Sequence, residues 1–119
     1  MKALENCLIL ILFSFSNFAY AEVLNTPSYV ISIERNCAEG YVTCDDVTYI
    51  GESKKSTNRI TLKGKTIHTT CADGITPCKF LGYFFKNGNV TYRVLESGKL
   101  QVIQGKNKVI IEEQGTWSY

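Results

Sequence analysis

The chain has 119 residues, 45% of them hydrophobic, and its 13 basic and 11 acidic side chains give a formal net charge of +2 at pH 7. A chain of this length holds one core at most. So mild a charge, with no run of like charges, argues against nucleic acid or an anionic membrane surface as the partner.

Residues 1–21 are predicted to be a cleaved secretory signal. Lys2 gives a basic start, an apolar run extends from Leu8 to Phe15, and the segment ends with Ala19-Tyr20-Ala21, which fits the small-x-small rule of signal peptidase. The apolar run is much shorter than the ~20 residues that a membrane span needs. We therefore expect an exported domain, 22–119, without a transmembrane segment, in the periplasm or outside the cell. An N-terminal membrane anchor is the alternative, and the composition favours a bacterial source.

From Tyr29 onward the chain alternates short runs rich in Val, Ile, Thr, Tyr and Phe with Gly and Asn, which is typical of β-strands joined by tight turns. Links as short as Lys63-Gly64 and Asn87-Gly88 join only antiparallel neighbours. The predicted strands are 29–36, 44–50, 57–63, 65–71, 78–86, 89–96, 99–104 and 108–113. The sequence therefore predicts an all-β fold, a meander of about eight strands that closes as a small barrel or a two-sheet sandwich, with 115–119 capping one opening or packing outside.

A faint internal repeat relates residues 37–70 to residues 71–104. CAEGYVTC and CADGITPC, which begin at Cys37 and Cys71, share the pattern C-A-acid-G-x3-C. A true duplication would make each unit three strands long. Convergent turn chemistry is the alternative explanation.

Four cysteines remain once Cys7 leaves with the signal: Cys37, Cys44, Cys71 and Cys78. An even number in an exported chain predicts two disulfides. A structural zinc site usually has C-x2–4-C knuckles, whereas both spacings here are C-x6-C, so no metal is expected. In each segment Gly comes first of the two central residues, and a type II′ turn there sets the flanking cysteines opposite each other. We expect the pairs 37–44 and 71–78; the alternative is 37–78 with 44–71.

The Asn87-Gly88 turn sets the register of the hairpin around it, because Asn-Gly is the strongest two-residue turn signal. One face of the hairpin then carries the predicted core pairs, Phe85 with Val90, Tyr83 with Tyr92 and Leu81 with Val94. A three-residue loop, Glu96-Ser97-Gly98, is predicted to follow, with Val94 opposite Leu100 and Tyr92 opposite Val102.

The other face of this hairpin is the candidate partner surface. It carries Phe80, Phe84 and Leu95 around Arg93. Aromatic side chains around an arginine resemble the composition of binding hot spots. The alternative is a second core layer beneath Trp117 and Tyr119 or beneath the N-terminal segment.

No set of catalytic residues is visible in the sequence. His68 is the only histidine, and a general base needs a nucleophile or an acid within reach; we expect an exposed histidine on a strand. Adjacent carboxylates such as Asp45-Asp46 point to opposite faces of a strand. The sequence predicts neither an enzyme nor a cofactor.

A rigid disulfide-linked scaffold without catalytic residues favours an exported binding protein that docks a protein partner, of the inhibitor or neutraliser type. A carrier that holds a small ligand in the barrel interior is the alternative. A small hydrolase using His68 with a carboxylate from another strand is the least favoured. The sequence specifies neither the partner nor the oligomeric state.

Overall fold

The computed structural model describes residues 20–118, and within this range the chain forms nine β-strands and no helix. The predicted signal, with Cys7, lies outside the described residues except for Tyr20 and Ala21, which begin the first strand. The strands are β1 Tyr20–Asn25, β2 Tyr29–Arg35, β3 Val47–Ser53, β4 Arg59–Thr70, β5 Pro77–Asn87, β6 Val90–Leu95, β7 Lys99–Gln104, β8 Lys108–Gln114 and β9 Thr116–Ser118.

The sheet is antiparallel throughout and nearly closes on itself. Each strand from β1 to β8 pairs with the next, and β9, which follows β8 after Gly115, pairs with β1 so that Leu24 lies opposite Trp117. The segment 108–118 thus borders both β7 and β1. The predicted antiparallel all-β fold is confirmed, and it is barrel-like. The C-terminal segment neither caps the barrel nor lies outside it, since it supplies the closing strand, and Trp117 packs against the core.

Strand β4 corrects the predicted boundaries. The sequence predicted two strands, 57–63 and 65–71, with a turn at Lys63-Gly64, but the chain runs straight from Arg59 to Thr70. Gly64 pairs with Val47 on one side and Phe85 on the other. A Cβ there would lie 1.9 Å from the carbonyl oxygen of Phe84. Glycine is needed here because the backbone and the Phe85 ring of β5 crowd the position, not because the chain turns.

The two halves of the possible pseudo-repeat differ in strand number. Residues 37–70 contain β3 and β4, whereas residues 71–104 contain β5, β6 and β7. In the ungapped alignment Gly64 corresponds to Gly98, which does lie in a turn. The first half therefore does not have the three strands expected of a repeat unit.

The barrel interior is apolar and aromatic. Its fully buried side chains come from alternate positions on six strands, since alternate residues point inward. They are Leu24, Ile31, Ile33, Val47, Tyr49, Tyr83, Phe85, Val94, Leu100 and Val102. The ring of Tyr49 lies 5.1 Å from that of Phe85 and 5.4 Å from that of Tyr92. Burying each large apolar side chain stabilises the fold by roughly 1.5–3 kcal/mol.

The hairpin turn has Gly88 and Asn89 as its central residues, so the predicted register was wrong by two residues. Asn87 lies opposite Val90, and Tyr83 lies opposite Val94. Gly88, at φ +65°, takes the first central position that the prediction gave to Asn87. An offset of two residues does not by itself change the face of a side chain, and Tyr83 and Val94 are buried as expected. Leu81, which was predicted to be in the core, is only half-buried and lines a groove with Arg93 and Leu95.

The turn between β6 and β7 has the predicted register. Val94 lies opposite Leu100 and Tyr92 lies opposite Val102. The Gly98 N–H donates to the Leu95 carbonyl over 2.8 Å. The three-residue loop, which was predicted because it buries core residues on both strands, is therefore confirmed.

Both predicted disulfides are present. Cys37 is bonded to Cys44 and Cys71 to Cys78, each across seven positions. The second loop differs from the predicted type II′ turn, since the Gly74 N–H donates to the Cys71 carbonyl and Gly74 ends the turn instead of starting it. Two disulfides in so small a domain are typical of an oxidising, exported environment.

Candidate binding surfaces

The connections between strands alternate between the two ends of the barrel, because successive strands are antiparallel. The β2–β3, β4–β5 and β6–β7 connections share one end, and they contain both disulfides. We call this the cystine end, and its connections are 36–46, 71–76 and 96–98. The opposite end, which we call the lysine end, has the connections 26–28, 54–58, 88–89 and 105–107.

The two ends carry opposite charge. The cystine-end connections contain no lysine or arginine, and their carboxylates are Glu39, Asp45, Asp46, Asp73 and Glu96. The lysine-end connections contain no carboxylate, and their cations are Lys54, Lys55 and Lys106. Only Asp46 is neutralised by a close ion pair among these carboxylates in residues 20–118, at 3.0 Å from Lys63. The connections at the two ends therefore differ in the sign of their charge, although strand residues next to the cystine end, such as Arg35 and Lys99, are cations.

Large apolar side chains are exposed on both disulfide loops of the cystine end. Tyr41 is 68% exposed, Val42 is 63% exposed and Ile75 is 80% exposed. A single exposed apolar residue is ordinary, but three on two short loops at one end need an explanation. These three side chains were not predicted as a binding surface, because the prediction rested on the strand faces and considered the loops only as the places where the disulfides form.

The loop that carries Ile75 is held in one conformation by short contacts. The Asp73 carboxylate accepts the N–H groups of Ile75 and Thr76 over 2.9 Å each, and also the Thr76 hydroxyl. The Cys71 N–H donates to the Thr76 carbonyl over 2.8 Å. The Thr76 hydroxyl and then the two N–H groups lower the pKa of Asp73 to about 2. Ile75 is thus fixed in place without being buried.

The Asp73 carboxylate is expected to hold this loop until the pH falls to about 2. Its pKa is depressed from 3.8 in a free chain to about 2 in the fold, so its contribution is complete above pH 4 and disappears as the pH falls through 2. A carbon-13 titration of the Asp73 carboxyl should give a pKa near 2. Thr76→Val should move it upward, and an unchanged pKa in that variant would refute the role given to the hydroxyl.

The first disulfide loop is anchored to the barrel wall. Cys44 is only 3% exposed. Its N–H donates to the Thr66 hydroxyl over 3.0 Å, and its carbonyl accepts the Thr66 N–H over 2.9 Å. The loop therefore projects Tyr41 and Val42 from a fixed base on β4.

A hydrogen-bonded group closes the barrel interior beneath the cystine end. The Arg35 Nε–H donates to the Tyr83 hydroxyl over 3.1 Å, and that hydroxyl donates to Glu22 over 3.2 Å. The Arg35 guanidinium also lies 4.9 Å from the centre of the Phe80 ring. Burial is the main reason why the pKa of Tyr83 rises to about 12, so the hydroxyl keeps the proton that bridges the two charged groups.

The structure separates Phe80 from the other members of the candidate partner surface. A β-bulge interrupts the β4–β5 ladder, since Ile67 lies opposite Gly82 but His68 lies opposite Phe80. Leu81 is the extra residue, and the bulge turns Phe80 inward, where its ring lies 5.2 Å from that of Tyr83. A glycine within a strand is a recognised sign of a bulge, and Gly82 was the signal in the sequence.

The other three residues remain on the outer face, all half-buried. Phe84 lies directly opposite Arg93, and Leu95 follows two positions later on the same strand. Arg93 and Leu95, with Leu81, line a groove of about 280 Å³ that reaches Glu96 at the cystine end. The Arg93 Nε is buried and has no hydrogen-bond partner among residues 20–118.

His68 is half-buried instead of exposed as predicted. Its Nε2 lies 3.0 Å from the Thr66 hydroxyl, and its ring packs edge-on against Phe80. Its Nδ1 is buried without a partner in the described part of the chain. The same bulge explains this position, because it brings Phe80 over the imidazole.

A cavity of about 300 Å³ opens at the lysine end. Three tyrosines and four aliphatic residues form most of its wall, and polar residues from the 54–58 connection and its flanks form the rim. They are Tyr29, Tyr49, Tyr92, Ile60, Leu100, Val102 and Ile111 in the wall, and Ser53, Ser56, Asn58 and Arg59 at the rim. The interior is therefore not packed solid throughout.

No family model, characterised protein or solved structure matches this chain significantly. Among residues 20–118 no cluster of three or more His, Cys, Asp or Glu side chains could hold a metal ion. The same residues form no helix with the length and apolar character needed to cross a membrane.

Proposed function

We propose that the chain is an exported, non-catalytic binding protein whose cystine end docks a protein partner, as an inhibitor or neutraliser does. The periplasm or the cell exterior, and a bacterial source, are parts of the same proposal. The single observation that carries it is Ile75, which is 80% exposed on a loop that a disulfide and the Asp73 carboxylate hold in place.

A preformed loop is suited to binding because little conformational freedom is lost when the partner docks. An apolar side chain that projects from such a loop can fill a pocket in the partner and become a hot spot. Tyr41 on the first loop adds an aromatic side chain at the same end. Ordinary surface loops, which move freely, would lose more entropy for the same contact.

The charge of the cystine end indicates the kind of partner. Its connections carry carboxylates and no cation, so a partner with a basic rim around an apolar pocket fits best. Such complementarity mainly accelerates association and excludes wrong partners. The groove that Leu81, Arg93 and Leu95 line together with Lys79 and Glu96 continues from this end. Part of the predicted surface therefore joins the same interface, but it contributes two cations and does not share the negative charge of the connections.

The test compares two exposed aliphatic positions at opposite ends of the barrel. A photocrosslinking amino acid placed at Ile75, which is 80% exposed, or at Val109, which is 49% exposed, is irradiated in an envelope extract. We expect one discrete product from position 75, none from position 109, and less product as salt rises. Equal products from both positions, or no product from position 75, would contradict the proposal.

Ile75→Asp is expected to weaken binding to the captured partner by about tenfold or more, the effect of losing one hot-spot side chain. Val109→Asp makes the same chemical change at the other end and should leave the affinity unchanged. Titration calorimetry with the purified partner measures both. Thermal unfolding of both variants should match the wild type, since neither side chain is buried.

A further inference from the structure

The cavity at the lysine end has the construction of a ligand site. Its volume of about 300 Å³ lies at the lower limit for small-molecule sites. Its wall is continuous with the barrel core, because Tyr49, Leu100 and Val102 belong to both. It is therefore an open recess that reaches from the rim to side chains of the barrel core.

The wall suits an aromatic guest. The rings of Tyr49 and Tyr92 are tilted by 60° at 5.4 Å, and those of Tyr49 and Phe85 by 53° at 5.1 Å. Tilted contacts of this kind are favourable for aromatic pairs, and a further ring in the cavity would extend the series. Aliphatic side chains such as Ile60 and Ile111 also line the cavity.

Gly51 shapes the space beside Tyr49. A Cβ at Gly51 would lie 2.7 Å from the Tyr49 hydroxyl oxygen and 2.8 Å from its ring. The glycine lets the tyrosine ring lie across the strand, with its hydroxyl at the cavity wall. Burial raises the pKa of Tyr49, so the hydroxyl remains a hydrogen-bond donor at physiological pH.

Among the residues that line the cavity, Arg59 is the cation. Lys54 is already engaged, since its ammonium donates to Asn25 over 2.6 Å and to the Thr26 carbonyl over 2.7 Å. Arg59 lines the cavity, and its guanidinium is 3.5 Å from Glu52 in a pair whose side chains are 65% and 43% exposed. Exposed pairs of this type are weak, so a ligand carboxylate can replace Glu52.

We infer that the lysine-end cavity binds a small aromatic carboxylate. The ring lies among the three tyrosines, and the carboxylate faces Arg59 at the rim, with Ser56 and Asn58 beside it. Lys55 and Lys106 in the connections of the same end add positive potential. The site is at the opposite end from the proposed protein interface and does not depend on it.

The test uses two probes of the same skeleton and opposite charge, 4-phenylbutyrate and 4-phenylbutylamine. Backbone amide spectra of the full domain are recorded during titration with each. We expect saturable shifts at Tyr29, Ile60 and Val102 with the carboxylate, at a dissociation constant on the order of 1 mM for so small a ligand. The amine should bind at least about tenfold more weakly, because it meets Arg59 instead of pairing with it.

Three variants separate the effect of charge from the effect of cavity space. Arg59→Gln should weaken the carboxylate about tenfold, the effect expected from one charge-assisted contact, whereas Lys106→Gln, at the same end but not in the cavity wall, should change it little. Ile60→Trp should fill the cavity and abolish binding of both probes. If Ile60→Trp does not fold, the comparison of Arg59 with Lys106 still decides the question. Shifts elsewhere, no saturation, or equal binding of amine and carboxylate would overturn the inference.

Discussion

Gly64→Ala is expected to destabilise the domain by roughly 3 kcal/mol or more, the upper range for overpacking. The new Cβ would lie 1.9 Å from the Phe84 carbonyl oxygen and 2.5 Å from the Phe85 ring. The oxygen belongs to the backbone of a paired strand and cannot rotate away. In an uncrowded strand the same substitution would stabilise, because glycine is unfavourable there by roughly 0.5–1 kcal/mol. Crowding at Gly64 thus makes alanine less stable than glycine, which is the reverse of the intrinsic preference in a strand.

The matched control is Gly105→Ala, because a Cβ at Gly105 has no neighbour within 4 Å. Gly105 has φ +67°, so this change costs only the roughly 1–2 kcal/mol of a left-handed backbone. Denaturant unfolding of both variants measures the difference. A Gly64→Ala domain that is as stable as the wild type would show that β3, β4 and β5 are not packed as described.

Gly64 also shows where sequence reasoning reaches its limit. Glycine marks either a turn or a close approach of two backbones, and the residues around Lys63-Gly64 allow both interpretations. Only the pairing partners Val47 and Phe85 decide between them. The all-β class and the alternation of faces were predictable, because both follow from local pattern alone.

The candidate surface was predictable in part for the same reason. Alternation placed Phe84, Arg93 and Leu95 on one face, and the structure keeps them there. Phe80 changed face because one bulged residue, Leu81, reverses the alternation before it. The bulge depends on how β5 pairs with β4, so the alternation of residues along β5 alone does not reveal it.

The charge separation could have been predicted from the sequence. A meander places alternate connections at the same end, and the carboxylates and lysines fall in alternate connections. Net charge and runs of like charge alone give no sign of it, because neither quantity records which connections share an end. The exposed Tyr41 and Ile75 belong to the same missed pattern, since both lie in connections of one end.

The predicted cleavage site is compatible with barrel closure. Cleavage after Ala21 would remove the first two residues of β1. The pairs between β1 and β9 involve Val23, Leu24 and Asn25. Glu22 accepts a hydrogen bond from the Tyr83 hydroxyl. Every contact that closes the sheet therefore lies in the predicted mature domain.

Removing the two disulfides one at a time is expected to give unequal losses of stability. Both close loops of the same length, so the chain-entropy model assigns each about 2.5 kcal/mol. Cys44 is also buried in the core at 3% exposure, whereas Cys78 is exposed. Replacing Cys37 and Cys44 together by Ala should cost roughly 3–4 kcal/mol, because truncating Cys44 adds a cavity term. Replacing Cys71 and Cys78 should cost roughly 2–3 kcal/mol.

Partner binding should not follow the same order. The Cys71–Cys78 bond helps to fix Ile75, so its removal should abolish crosslinking from position 75 even though it costs less stability. Thermal unfolding measures the loss of stability. The crosslinking yield measures partner binding, with each variant tested well below its own Tm. Equal stability losses would mean that the burial of Cys44 contributes nothing. The expected result would show that stability and recognition depend on different parts of the cystine end. Undiminished crosslinking without the second disulfide would instead mean that the partner does not recognise a rigid loop.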